Sequence, residues 1–255
     1  MISVIFTCRG RLALTELCLR RFVELMPQSY ELFICYDGWD KDYIQMLTTA
    51  APKGSVFYFE KGKRKSRFEL INMALNYVLD NEYIIHLEND FYWVNPQCLT
   101  AALNAFEKWD IDYIRFEQLP FTANQFKRVE QTDGRDILWM KEDTPYRFTF
   151  NPHIRRFKFP NEKKFKTEGF TKQPEQHHND GYTGISCCMT GDNFRHLGIY
   201  DEHGHYKEYY ADRFTGRRNT KNFDPWTEFT KLTDNSIYLD LFMRYLRDNG
   251  YKRRP

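Results

Sequence analysis

Three things are scarce in this chain: long apolar runs, cysteines at short spacing, and net charge. No stretch approaches the length of a transmembrane helix, and Met1 leads straight into a strand-like run with no apolar signal region behind a basic head. We therefore expect no membrane anchor and a cytoplasmic setting. The six cysteines, Cys8, Cys18, Cys35, Cys98, Cys187 and Cys188, contain no CxxC motif and mostly lie inside apolar runs, which reads as reduced core residues. His177, His178, His203 and His205 share no ligand spacing with Cys187 and Cys188, so a zinc site is excluded. The 37 Lys+Arg nearly balance the 35 Asp+Glu, so bulk charge announces neither a nucleic acid nor a membrane surface as partner. What remains is ordinary soluble composition. With 42% hydrophobic residues in 255, the chain can bury the core of one large domain, and 17% aromatics suit broad grooves as well as packing.

The first ninety residues alternate two periodicities. Ile2 to Thr7, Leu32 to Tyr36, Val56 to Phe59 and Tyr83 to Leu87 are apolar runs of strand length. Between the first two, Leu14, Leu17, Cys18, Phe22 and Leu25 recur at helical spacing until Pro27. Residues 42–50 and 66–79 are helical in the same way, the latter on Phe68, Ile71, Leu75 and Leu79. Strand, helix, strand repeated in this order predicts right-handed parallel crossovers and a doubly wound sheet. Pro96 opens a further helix through Leu99, Leu103 and Phe106, and Tyr113 to Phe116 is another strand. Regular alternation then stops. Asp133-Gly134 marks a turn before a short strand at Ile137 to Met140, and Ser236 to Leu246 is an amphipathic helix near the end.

The stretch Tyr83-Ile84-Ile85-His86-Leu87-Glu88-Asn89-Asp90-Phe91 carries the most chemistry. Its apolar run ends in two carboxylates two residues apart, which an extended chain would point to one side, where they could share a hard cation. The carboxyl ends of strands in open α/β sheets are where ligands bind. Ser3 to Thr7, the Leu-rich helix, Leu32 to Asp37-Gly38, a basic loop leading into a helix, and Glu88-Asn89-Asp90 together resemble the nucleotide-sugar half of a family 2-like glycosyltransferase of the GT-A fold. The resemblance covers about the first hundred residues. It implies a Rossmann-like, mostly parallel sheet flanked by helices with an irregular C-terminal acceptor side. It divides one domain into a nucleotide-sugar half at 1–118 and an acceptor half at 119–255.

In that family an aspartate-any-aspartate motif holds a divalent cation, Mn2+ or Mg2+, on the donor diphosphate. The motif here has Glu88 in place of the first aspartate, and Asp90 is the expected direct ligand. By the same resemblance His196 supplies a third ligand, and Thr7, Arg9, Asp37, Arg67 and Glu88 line the donor pocket. Asp37 would accept the imide N–H of uracil, implying a UDP-sugar. Phe148 to Arg156 resembles the family's strand ending in Asn-Pro and an arginine, and Leu197 to Glu202 its glycine-phenylalanine-aspartate-glutamate stretch.

Two basic segments bear on partners. Lys61 to Arg67 has five positive side chains in seven residues, placed where phosphate would be attracted. Between Arg147 and Lys172, eight Lys/Arg stand against two Glu, interleaved with Phe157, Phe159, Phe165 and Phe170. Alternating cations and rings suit a phosphate-bearing or base-bearing acceptor, for instance a modified base in DNA, and equally suit a hairpin with its rings in the core; a glycan is the other acceptor class expected. Displacement at a sugar carbon needs a carboxylate to take the acceptor's proton. Glu168 is the first candidate, with Asp180 and Glu208 as competitors; the stretch at Leu197 would shift the role to Glu208 or Asp212. The expectation is a metal-dependent, inverting hexosyl- or pentosyltransferase. A sugar nucleotidyltransferase would want a glycine-rich loop after the first strand, and Thr7 to Arg11 has one glycine. A noncatalytic nucleic-acid-binding module is the alternative from another class.

Overall fold

The four apolar runs of the first ninety residues become four adjacent parallel strands: β1 (Ile2–Cys8), β2 (Tyr30–Tyr36), β3 (Val56–Phe59) and β4 (Tyr83–Glu88). Between them run α1 (Leu12–Leu25), α2 (Lys41–Ala50) and α3 (Arg67–Leu75). After β4 come β5 (Phe91–Trp93), α4 (Gln97–Lys108), β6 (Tyr113–Phe116), β7 (Phe126–Thr132), β8 (Arg135–Met140), β9 (His153–Arg156), β10 (Ser186–Met189), β11 (Phe194–His196), α5 (Pro225–Phe229) and α6 (Ser236–Asp248). This computed structural model describes residues 1–59, 67–78, 81–116, 125–144, 149, 151–157, 184–200 and 223–252.

Nine strands form one sheet in the order β3-β2-β1-β4-β9-β6-β10-β8-β7, and β5 pairs with β11 in a separate ribbon. The strand β9 is antiparallel to both β4 and β6, so the sheet is mixed beyond its parallel half. At its far edge β7 and β8 form a hairpin on Asp133-Gly134, whose φ values of 49° and 70° are those a tight two-residue turn demands.

The sheet is covered on both faces, which is why β1 is buried along its whole length and mostly apolar. Along β1, Val4, Phe6 and Cys8 face a core shared with Leu47 of α2 and Leu99, Ala102 and Phe106 of α4. Ile5 faces the other way, onto Phe68, Ile71 and Ala74 of α3. A third layer lies outside α1, where Leu14, Leu17 and Cys18 pack against Phe229 of α5 and Leu241, Phe242 and Tyr245 of α6. Burying one such ring stabilises the packing by about 1.5–3 kcal/mol. Asn235 starts α6 by accepting the backbone N–H groups of Ile237 and Tyr238 at 3.0 and 3.4 Å. All six cysteines are buried thiols without disulfide partners.

The structure departs from the sequence expectation at three places. The helix expected over 66–79 ends at Leu75, where Asn76 N–H turns back onto the carbonyls of Asn72 and Met73. The short strand expected at Ile137 is half of a hairpin, its partner β7 lying in the segment read as irregular. The extended run through Glu88 and Asp90 breaks at Glu88: Asn89 and Asp90 form a turn, and Phe91 starts the separate ribbon. Asn and Asp favour such turns through their own side-chain hydrogen bonds. The relation of the two carboxylates is therefore set by a turn and not by strand alternation.

Candidate active site

Strands β1, β2 and β4 point the same way, and the loops leaving their carboxyl ends gather the polar residues. After β1 come Arg9, Gly10 and Arg11; after β2, Asp37 and Gly38; after β4, Asn89 and Asp90. Residue Asp37 is anchored by its N–H on the Cys8 carbonyl at 3.0 Å, and its carboxylate lies 3.7 Å from the Arg9 guanidinium. The Arg9 side chain is 46% exposed, so this pair contributes little stability and holds Arg9 loosely. A glycine is required next to it. A Cβ on Gly38 would fall 2.6 Å from the Tyr36 ring, which is itself stacked flat on Tyr43 at 4.2 Å.

The centre of the site is Asp90. Its Oδ2 accepts from the Arg11 guanidinium at 2.7 Å and lies 3.3 Å from Nε2 of His196. Strand pairing brings His196 there: in the β5–β11 ribbon it stands opposite Phe91, the residue after Asp90, and its ring packs edge-on against Phe91 at 4.7 Å. The chain then crosses over the turn, Leu197 donating its N–H to the Asp90 carbonyl at 2.7 Å. Burial alone would raise the Asp90 carboxyl; His196 and Arg11 outweigh it and hold the group well below the usual carboxylate range. Gly198 lies directly against the pair, since a Cβ there would stand 2.5 Å from both Arg11 Nη1 and Asp90 Oδ2.

Two residues that the sequence expectation left without a role hold this geometry. Asn89, the spacer between the two acids, is buried; its amide donates to the Thr15 hydroxyl at 2.7 Å and to the Arg9 carbonyl at 3.4 Å. Thr15 also bonds Tyr43, whose hydroxyl donates to the Gly10 carbonyl at 2.6 Å, so the loop after β1 is clamped from three elements. Arg11 is the second. It occupies the N-cap of α1 in left-handed conformation, φ 53°, and its other guanidinium nitrogen donates to the Tyr200 carbonyl at 2.7 Å. A cation at a helix N-terminus, with no acid in the first turn, opposes the helix dipole and asks for a carboxylate elsewhere. That oddity is the signal in the sequence that points to Arg11.

Of the other expected site residues, Thr7 is buried with its hydroxyl donating to the Leu87 carbonyl at 3.2 Å and 3.3 Å from His86, inside the sheet. Glu88 ends β4, half-buried, in register with Thr7. The backbone of Arg67 starts α3. Its side chain lies outside the described residues, as do Lys61 to Ser66, Glu168, Asp180, Glu208 and Asp212.

The pairing of Asp90 with His196 fits a divalent cation. Adjacent ligands of an octahedral ion at about 2.1 Å stand about 3 Å apart, and the observed separation of the carboxylate oxygen and imidazole nitrogen is 3.3 Å. No group of three His, Cys, Asp or Glu gathers among the described residues. Two protein ligands with the remainder supplied by substrate phosphates is the usual arrangement for such an ion at a nucleotide site.

No family model and no curated protein matches the sequence. Solved structures do. The S. aureus TarS fragment 1–349 superposes with a TM-score of 0.56 over 98% of this chain and 73% of its own, at 13% identity. The mannosyltransferase PcManGT of Pyrobaculum calidifontis superposes with a TM-score of 0.55 over 100% of this chain and 76% of its own, at 12% identity. The chain has the GT-A fold. Against the longer TarS structure this GT-A unit spans 44% of the length. TarS 1–349 has been solved with UDP-GlcNAc and with UDP, and PcManGT with GDP-Man and Mn2+. Among the described residues of this GT-A chain, no helix is long and apolar enough to cross a membrane.

Proposed function

We propose that the protein transfers a sugar from a nucleoside-diphosphate sugar, a UDP-sugar first, to an acceptor hydroxyl, with a divalent cation held by Asp90 and His196. The observation that carries this reading is the convergence of Asp90, His196 and Arg11 at the carboxyl ends of parallel strands in a GT-A fold. Neighbours of that fold bind UDP-GlcNAc or GDP-Man, the latter with Mn2+. Mn2+ suits a mixed carboxylate and imidazole set, and Mg2+ suits the carboxylate. When bound, the cation neutralises charge on the diphosphate leaving group. Asp37 accepts an N–H from the base, held at the end of β2 by its bond to Cys8. Arg9 and Arg11 bring positive charge toward the diphosphate from the loop that Asn89 clamps. Glu168, with Asp180 as competitor, takes the proton from the acceptor hydroxyl, giving inversion at the sugar carbon. The acceptor, a glycan or a modified DNA base, is read from the basic aromatic segment at 147–172.

The test is thermal stabilisation and sugar-nucleotide hydrolysis with UDP-GlcNAc, UDP-glucose and GDP-mannose, in Mn2+, Mg2+ or chelator, for the native chain and Asp90→Ala. A donor that stabilises or turns over only with metal, and only with Asp90 intact, is the expected result. Indifference to every nucleotide sugar in both conditions would remove the reading.

A further inference from the structure

The cation seat described above already has a cation in it, carried by the protein. We propose that Arg11 is an internal counter-ion that closes Asp90 to bare divalent cations and yields it to a cation arriving with a diphosphate. This rests on the donor reading above and adds to it an order of binding.

Four observations carry the proposal. Nη1 of Arg11 and Nε2 of His196 address the same carboxylate oxygen of Asp90, at 2.7 and 3.3 Å, so an ion using that oxygen must displace the guanidinium. The guanidinium is tethered at a second point, Nη2 on the Tyr200 carbonyl at 2.7 Å, and Tyr200 is itself fixed by its N–H on the Tyr245 hydroxyl of α6 at 3.3 Å. Arg11 therefore does not leave the site when it gives up Asp90. Its backbone is in the left-handed region at a helix N-terminus, a position unfavourable for a cation unless an anion is beside it. Finally, Gly198 has no Cβ, and only that lets the chain lie across both partners.

The electrostatics follow from these contacts. A divalent ion on Asp90 next to a displaced but tethered guanidinium places like charges side by side in a partly buried site, which disfavours the ion alone. A diphosphate entering with the ion supplies the anion that both cations need. Cation and nucleotide should then strengthen each other's binding, and equally in both directions. Removing the charge at position 11 should strip away the exclusion of the bare ion.

The test measures Mn2+ affinity by the electron paramagnetic resonance signal of free Mn2+, with and without UDP, each titration referred to the same one without protein because UDP itself binds Mn2+. The variants are Arg11→Gln, Arg11→Lys and Asp90→Asn. For the native chain we expect weak binding of Mn2+ alone and a gain of about tenfold or more when UDP is present. Arg11→Gln should bind Mn2+ alone about tenfold more tightly than native and lose most of the gain from UDP. Arg11→Lys keeps the charge but not the fork that also holds Tyr200, and should still bind Mn2+ alone more weakly than Arg11→Gln does, and Asp90→Asn should bind Mn2+ in neither condition. Should Arg11→Gln fail to fold by circular dichroism, Arg11→Met keeps the packed stem and reads the same quantity. If the neutral variant binds Mn2+ alone no better than native, while native binds it with UDP, the counter-ion role is overturned and the donor reading stands. If native binds no Mn2+ even with UDP or GDP, the donor reading falls and the proposal falls with it.

Discussion

Replacing Gly198 by alanine tests the geometry of the site without touching a charged residue. The added Cβ would stand 2.5 Å from Arg11 Nη1, 2.5 Å from Asp90 Oδ2 and 3.0 Å from Asp90 Cβ. Ordinary contact distances are about 3.5–4.0 Å, so both partners must retreat by about 1 Å or the chain must lift off them. Neither retreat is easy. Asp90 is a short side chain on a turn pinned by the Leu197 N–H, and Arg11 cannot move without straining its bond to Tyr200. Overpacking of this kind costs about 1–3 kcal/mol. At about 2–4 °C per kcal/mol for a chain of this size, the melting temperature should fall by about 2–12 °C in differential scanning calorimetry. The double variant with Arg11→Ala should show the cost shrinking, because one of the two clashing groups is gone, and that coupling separates a local clash from general damage. A Gly198→Ala variant within about 0.5 kcal/mol of native would refute the placement of this glycine against the ion pair.

Further outcomes follow from the same contacts. Asp90 has a folded carboxyl pKa below its ordinary 3.8, so its contribution to stability is fully present above that value and fades as pH falls below it. In urea denaturation between about pH 5 and pH 2, the stability gap between native and Asp90→Asn should therefore narrow as acid is added; a constant gap would mean that the carboxylate is not held by Arg11 and His196. Asn89→Ala removes the buried clamp on the loop after β1 and should cost about 1–3 kcal/mol, with faster amide exchange at Gly10 and Arg11 as the local sign. Phe242→Ala opens the layer between α1 and α6 and should cost about 3–5 kcal/mol by chemical denaturation; a loss under about 1 kcal/mol would show that α6 does not pack as described.

The parallel half of the molecule could be read from the chain because each of its elements states its own period. Val56–Phe59 has the bounds of its apolar run, and β1 differs by the single residue Cys8. The candidate site is legible to the extent that its expected residues sit just past strand ends: Arg9 follows β1, Asp37 follows β2 and Asp90 lies two residues beyond the end of β4. His196 was drawn from family resemblance, and the ribbon that brings it to Asp90 has only three residues on each strand, too few to show a pattern. Arg11 and Asn89 escaped notice for a different reason. Each acts on a partner more than seventy residues away, Arg11 on Asp90 and Asn89 on Thr15, and no local periodicity reports such a bond.

The placement of β9 has a consequence for how the molecule can be taken apart. This four-residue strand belongs to the second half of the sequence yet lies between β4 and β6 of the first, and β6 has β10, also from the second half, on its other side. A cut near residue 118 would therefore not release two self-sufficient pieces. The piece carrying β1 to β6 would have a gap of one strand between β4 and β6, with Ile85 and Ile114 both facing the vacancy left by Ile154. The other piece would hold the strand that fills it. The two should fold only together, as a split protein does, and each is a natural bait for the other.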